Sequence, residues 1–182
     1  MQNIRFLQKT LVNLCDAEHY LFSSSDMVPL FPKLNKNSLK ALLSRAETAG
    51  FIKRVCRGIY LFMQVEYTKG FELFHAASRL RAGHFNYISL ETALSDEGVI
   101  SQMPINRITI MSTGRKSEID CFDFGKIEFI HTKKRLVNIE SRLKYDTRCR
   151  MWRADKTLAF EDLKAVGRNI DLIDYGVLND PV

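Results

Sequence analysis

No two of the four cysteines in this 182-residue chain stand close enough to form a CxxC pair. Cys15, Cys56, Cys121 and Cys149 are widely spaced, which argues against a zinc ribbon and against a thioredoxin-type redox motif. Reduced, mostly buried thiols are the expectation. The four histidines, His19, His75, His84 and His131, show no HxxxH or similar metal-ligand spacing. There is no Gly-rich phosphate loop and no G-x-S-x-G elbow. No apolar run approaches the ~20 residues of a membrane span. The opening stretch MQNIRFLQKTLVNLC lacks the apolar core and small-residue cleavage site of a signal peptide. Internal repeats and low-complexity tracts are also missing. These absences lead to an expectation of a cytoplasmic protein, not an enzyme, with no membrane partner, no metal and no cofactor.

What is present is a chain rich enough in apolar residues, 46%, to pack a core. Its net charge is +6, from 27 basic and 21 acidic residues, and its pI is about 9.2. That excess suits either solubility or a polyanionic partner. It is unevenly spread. Residues 1–66 hold nine Lys/Arg against five Asp/Glu, and residues 67–182 hold 18 against 16.

The apolar positions Ile4, Leu7, Leu11, Leu14 and Cys15 line one face of a first helix. Ser24 or Ser25 can cap a short second helix, with Pro29 near its first turn and Pro32 at its end. Asn35 or Asn37 can cap a third, whose inward face is Leu39, Leu42, Leu43 and Ala46. Gly50 stands where a left-handed C-terminal cap belongs. FIKRV and GIYLF then flank a turn at Cys56-Arg57-Gly58 and favour strand. Helix, short helix, helix and hairpin in this order make the pattern of a winged helix-turn-helix over residues 1–66. Residues 67–182 mix helices with strands at NYI, RITIMST and both sides of Asp123-Phe124-Gly125, with Ser89 and Asp155 as helix caps. The fold class expected is therefore α+β: an N-terminal winged helix-turn-helix and then a mixed α+β domain.

If the third helix buries its leucines, it turns Lys36, Asn37, Ser38, Lys40, Ser44 and Arg45 outward. Cations neutralise phosphates, while Asn, Ser and Arg reach base edges in a major groove. The same residue types also make an ordinary solvated face. Lys53, Arg54 and Arg57 on the hairpin add a natural contact to backbone or minor groove. Together these nine residues are the candidate DNA-binding set, with double-stranded DNA as the partner.

A second basic stretch, HTKKRLVNIESRLKYDTRCRMWR, interleaves cations with Tyr145 and Trp152. Lys133, Lys134, Arg135, Arg148 and Arg150 are its candidate surface for RNA or single-stranded DNA, or for an acidic protein partner; a core Trp152 with the cations on a solvated face is the plainer alternative. The densest acidic cluster is Glu118, Asp120, Asp123 and Glu128. It could hold Mg²⁺ for phosphodiester cleavage, but Lys126 precedes Glu128, the reverse of the Glu-x-Lys order such a nuclease core uses. A solvated sheet face is the simpler reading.

Three stretches carry a resemblance to a known family. LFSSSDMVPLFP with LKALLSRAETAGFIKRVCRGIYLF, then YISLETALSDEGVISQMPINRITIMSTGR, then ADKTLAFEDLK, are similar to segments of the AbiEi-type antitoxins of bacterial type IV toxin–antitoxin and phage abortive-infection systems. Arg54, Arg57, Gly58 and Tyr60 match the family's wing. The resemblance implies a protein with two roles. Its winged helix would bind inverted repeats in its own promoter and repress the operon. Its second domain would counter a nucleotidyltransferase-type toxin without needing a stable complex with it. The second basic set would then be a candidate surface facing that toxin. Alternatives are a transcriptional regulator whose second domain binds an effector or protein, and a metal-dependent nuclease using Asp120 and Glu128.

Overall fold

The computed structural model describes residues 2–101 and 106–180. Residues 102–105, inside the second of the three family-like stretches, lie outside the described residues. The chain is α+β and divides into two compact units, Met1–Glu72 and Leu73–Val182. Residues 67–72 belong with the first unit. Tyr67 stacks on Tyr20 with ring centroids 4.0 Å apart, and its hydroxyl donates to Glu72 Oε1 at 3.1 Å. The division therefore falls after 72, beyond the junction expected after 66.

The first unit holds α1 (Gln2–Leu14), β1 (Leu21–Ser23), α2 (Lys36–Thr48), β2 (Ile52–Cys56) and β3 (Ile59–Phe62). On α1, Leu7 and Leu11 are fully buried and Ile4 partly so, and Cys15, just beyond the helix, is partly buried too. Leu14, expected on the same face, is 59% exposed because the helix ends there. The short helix expected after Ser24 or Ser25 does not form. Ser23 opens this segment instead: its hydroxyl accepts from Asp26 N–H at 3.1 Å, and Asp26 returns the bond by accepting from Ser23 N–H at 2.7 Å. This reciprocal pair has the logic of a capping box. A run of i→i+3 turns comes next, Val28 to Ser25, Leu30 to Met27, Phe31 to Val28. Pro29 and Pro32 lack the N–H groups an α-helix needs, and a proline disfavours the helical region for the residue before it, here Val28 and Phe31. Met27 and Phe31 still reach the core.

α2 forms as its pattern dictates. Asn35 Oδ1 accepts Ser38 N–H at 2.8 Å, and Gly50 takes φ +79° just beyond the helix. Leu39, Leu42, Leu43 and Ala46 are buried. β3 is the middle strand of a three-stranded antiparallel sheet, order β1-β3-β2. All four β3 residues are therefore buried. β1 has no strong sequence signal, since three residues cannot display an alternation.

The second unit is a six-stranded mixed sheet, order β6-β7-β5-β4-β9-β8. Its strands are β4 (Asn86–Ile88), β5 (Arg107–Ser112), β6 (Ser117–Asp120), β7 (Lys126–His131), β8 (Leu143–Asp146) and β9 (Met151–Ala154). β5 runs parallel to β7 and β4 parallel to β9; the other neighbours are antiparallel. α3 (Glu72–Leu80) leads in, α4 (Leu90–Asp96) follows β4, and α6 (Lys156–Ala165) follows β9. The short α5 (Leu136–Ile139) and α7 (Tyr175–Asn179) complete the set. α4 packs on α6. Side chains alternate along a strand, so Tyr87, which bonds α6, and Ile88 point to opposite faces. On the Ile88 side, Arg81 beyond α3 lies over the Phe129 ring at 4.7 Å.

Candidate nucleic-acid interface

At 100° per residue, the solvent side of α2 centres on Asn37, Ala41, Ser44 and Thr48, directly opposite the four buried positions. Lys36, Lys40 and Glu47 flank that stripe on one side, Ser38 and Arg45 on the other. Of the expected set, Lys36, Asn37, Lys40, Ser44 and Arg45 are exposed. Ser38 is half-buried, its N–H held by the Asn35 cap. Arg45 lies along the helix, with Nε donating to the Ala41 carbonyl at 3.2 Å.

The hairpin is fixed beside this helix by a bond that the sequence did not announce. β2 is an edge strand, so its outward N–H groups have no strand to pair with. Glu47 Oε1 on α2 accepts Arg54 N–H at 3.1 Å. Glu47 was absent from the expected set, and its only sequence signal is its place on the flank shared with Lys36 and Lys40. A β-bulge interrupts the ladder between Arg54 and Cys56. It lets the consecutive residues Val55 and Cys56 both face inward, each 0% exposed. Arg54 curls over the turn, its Nε donating to the Cys56 carbonyl at 3.4 Å. Lys53 and Arg54 are half-buried, and Arg57 is exposed at the tip. Gly58 beside it has φ +85°, a conformation that costs glycine nothing and other residues more. Tyr60, opposite Arg54, is pushed above the usual tyrosine range by burial, partly countered by the Arg54 charge.

The second basic set is divided by the structure. Lys133, Arg135 and Arg148 are exposed and Arg150 is half-buried. Lys134 is committed inward: its ammonium meets Asp162 Oδ1 at 2.7 Å. Asp162, on α6, is 0% exposed. Its other oxygen accepts from Ser89 Oγ at 2.7 Å and from the Tyr87 hydroxyl at 3.0 Å. Burial, and then the Asp162 charge, push the Tyr87 phenol far above its ordinary pKa. Lys134 is thus a counter-ion for a buried carboxylate, and leaves the surface set. Tyr145 is 48% exposed and meets Trp152 edge-on at 5.4 Å.

The acidic cluster is an ion-pair network. Glu118 and Glu128 face each other across β6 and β7. Arg107 pairs with both, Lys126 with Glu118 at 3.2 Å, and Arg168 with Glu128. Asp120 lies opposite Lys126, and its Oδ1 accepts Phe122 N–H at 2.8 Å. Asp120 and Glu128, the pair a nuclease reading needs, are not register partners, and Glu128 is already engaged by two arginines. Among the described residues no group of three or more His, Cys, Asp or Glu side chains could hold a metal ion, and no helix is long and apolar enough to cross a membrane. The Cys149 thiol is raised to about 12, chiefly by burial.

No family model and no curated protein matches the chain.

Proposed function

We propose that this chain is an autoregulating antitoxin that binds double-stranded DNA through its first unit. α2 would enter the major groove with Asn37 and Ser44 central, Lys36 and Lys40 on the phosphates to one side and Arg45 on the other. The β2–β3 hairpin would act as a wing, with Arg57 on the backbone or in the minor groove. The observation that carries this reading is the pairing of an exposed polar helix face with a basic hairpin tip. The Glu47–Arg54 bond holds the two in fixed relation. A free-swinging loop would present the same charges without fixing where they fall on a duplex. The countering of a nucleotidyltransferase-type toxin rests on the resemblance of three sequence stretches to AbiEi-type antitoxins, and belongs to the second unit in this reading.

Fluorescence anisotropy with the DNA upstream of the chain's own gene tests the first half. The wild type binds, and Arg57→Ala binds more weakly, with a salt slope reduced by about one charge (~0.9 in log–log units). Unchanged affinity and slope in Arg57→Ala and Lys40→Ala together remove α2 and the hairpin as the interface. Co-expression with the neighbouring toxin gene tests the second half, with growth as the readout. The full-length Arg57→Ala chain rescues growth while failing to repress a promoter fusion. Absence of a nucleotidyltransferase gene beside this one, or no rescue by the wild type, favours instead a regulator whose second unit binds an effector or protein.

A further inference from the structure

The strand pairings of the second unit bring one end of the six-stranded sheet together from four separate segments. Ser112 at the end of β5 lies opposite His131 at the end of β7 and Asn86 at the start of β4. Met151 at the start of β9 and Asp146 at the end of β8 complete the same end, and β6 begins there at Ser117. The segments at this end are 79–86, 112–117, 131–135 and 146–151. They hold nine lysines and arginines against one acid, Asp146. At the opposite end, residues 89–98, 106–107, 120–126, 140–142 and 155–156 hold seven acids against four cations. The sheet is polarised along its strands.

The basic end is also rigid. Thr113 N–H donates to the Phe85 carbonyl at 3.0 Å, and Phe85 N–H to Thr113 Oγ1 at 3.1 Å. Arg81 donates to the Arg115 carbonyl at 2.6 Å and to Ser117 Oγ at 2.8 Å. His131 Nδ1 donates to the Gly114 carbonyl at 2.9 Å. Gly114 leaves room for the Arg81 guanidinium, which would lie 2.0 Å from a Cβ at that position. Arg81 and Lys134 are spent on internal bonds, but Arg115, Lys116, Lys133 and Arg135 are exposed. Only the first pair's linkage with β7 makes the second pair its neighbour, so a linear scan misses it.

We propose that this basic end of the sheet is a docking surface for single-stranded RNA. Its positive charge calls for a polyanion. Its exposed cations Arg115, Lys116, Lys133 and Arg148 lie on loops and a hairpin tip, and Arg135 precedes the four-residue α5, so none of these five sits on the face of a long helix that could enter a major groove. Exposed rings stand among the cations: His84, His131 and, one residue from the hairpin end of β8, Tyr145. Cations that track phosphates beside rings that stack on unpaired bases are the combination single strands select. The exposed threonines Thr113 and Thr147 can meet a 2′-hydroxyl. None of these residues belongs to α2 or to the β2–β3 hairpin.

The test is anisotropy of the full chain with a labelled oligouridine of about 20 nucleotides, titrated across salt. The wild type binds at about 50 mM salt. The variant Arg115→Ala/Lys116→Ala/Lys133→Ala/Arg135→Ala binds at least tenfold more weakly, and its salt slope falls by about 3, or ~0.7 for each phosphate no longer neutralised. Tyr145→Ala loses about tenfold and Tyr145→Trp retains binding. Arg57→Ala binds RNA as the wild type does, so failure here and failure of the DNA reading are separable. The charge-reversed Lys133→Glu/Arg135→Glu chain, checked by circular dichroism for native secondary structure, binds no RNA. Wild-type affinity and slope in the fourfold variant overturn the proposal. So does equal affinity for oligodeoxythymidine, or displacement of the RNA by polyglutamate at matched charge.

Discussion

Asp162→Ala removes the acceptor for three donors at once, and the surroundings decide what each loss costs. Ser89 is 0% exposed and its hydroxyl loses a charged partner 2.7 Å away. A buried donor left without an acceptor costs about 1–3 kcal/mol. Tyr87 is equally buried, but its phenol also bonds the Thr132 hydroxyl, so its loss falls near the bottom of that range, about 1 kcal/mol. The Lys134 side chain is 34% exposed; it swings to water and contributes little. The sum is about 3 kcal/mol, which for a unit of this size lowers the melting temperature by roughly 12 °C. Asp162→Asn keeps one carbonyl oxygen for Ser89 and should cost about half as much. Differential scanning calorimetry of the full chain reads both. The reasoning is refuted if Asp162→Ala shifts the transition by less than a third of that value, or if Asn is the worse replacement.

Single groups give further outcomes. Asn35→Ala removes the α2 cap and lowers stability by about 1 kcal/mol in urea unfolding, while Asn35→Ser stays close to the wild type. Gly58→Ala meets only Ser24 Oγ at 3.6 Å, so its cost is the left-handed backbone alone, about 1 kcal/mol. Gly125→Ala places a Cβ 1.9 Å from the Asn106 carbonyl oxygen at φ +113°, and the soluble yield of folded chain should collapse while that of Gly58→Ala does not. Tyr67 is raised from 10.0 to about 12 by burial first and then by Glu72. The folded chain therefore holds that proton after the unfolded chain has lost it. The resulting stability is complete below pH 10 and is lost as pH rises toward 12. Tyr67→Phe flattens this part of the stability–pH curve, which equilibrium unfolding at a series of alkaline pH values measures.

α2 and the hairpin could be read from the chain because everything that specifies them is local. Asn35, the leucine spacing, Gly50 and the Arg57-Gly58 turn act within one or two turns of backbone. β1 and the segment after Ser23 could not be read so. β1 exists because β3 offers it an edge, with Leu21 opposite Leu61. The serine-rich stretch offers three possible caps, and the one used, Ser23, is chosen by the strand that ends there. In the second unit β4 to β7 were legible as strands, whereas β8 and β9 were not, lying inside the stretch whose cations drew the reading instead. The strand order was not legible, because β5–β7 and β4–β9 are parallel pairings that no tight turn announces. The candidate site shows the same division. The exposed faces of Lys36, Lys40 and Arg57 follow from helical and hairpin geometry. The grouping of Lys133 with Arg115 follows only from sheet order, and the withdrawal of Lys134 only from a carboxylate on α6.

Ser89 shows why such a withdrawal is hard to foresee. It occupies the N-cap position of α4, as its sequence position requires, yet makes no side-chain cap bond. Two acceptor–donor arrangements compete for its hydroxyl. As a cap it would accept a neutral backbone N–H, worth about 1 kcal/mol. As a donor to Asp162 it satisfies a buried charge, and hydrogen bonds to ionised groups are roughly twice as strong as neutral ones. The charge wins, and the N–H groups of α4 need another acceptor. β5 supplies it: Thr109 Oγ1 accepts Thr92 N–H at 3.2 Å, and Thr109 Oγ1 in turn donates to the Ser89 carbonyl at 2.9 Å. One buried carboxylate has thus moved a helix cap from the chain's own neighbour to a strand 17 residues away from Thr92. Thr109→Val, which keeps the shape and deletes the hydroxyl, leaves Thr92 N–H unpaired in the core. It should therefore destabilise the second unit by about 1–3 kcal/mol although Thr109 sits at no cap in the sequence, and Thr109→Ser should restore most of that loss.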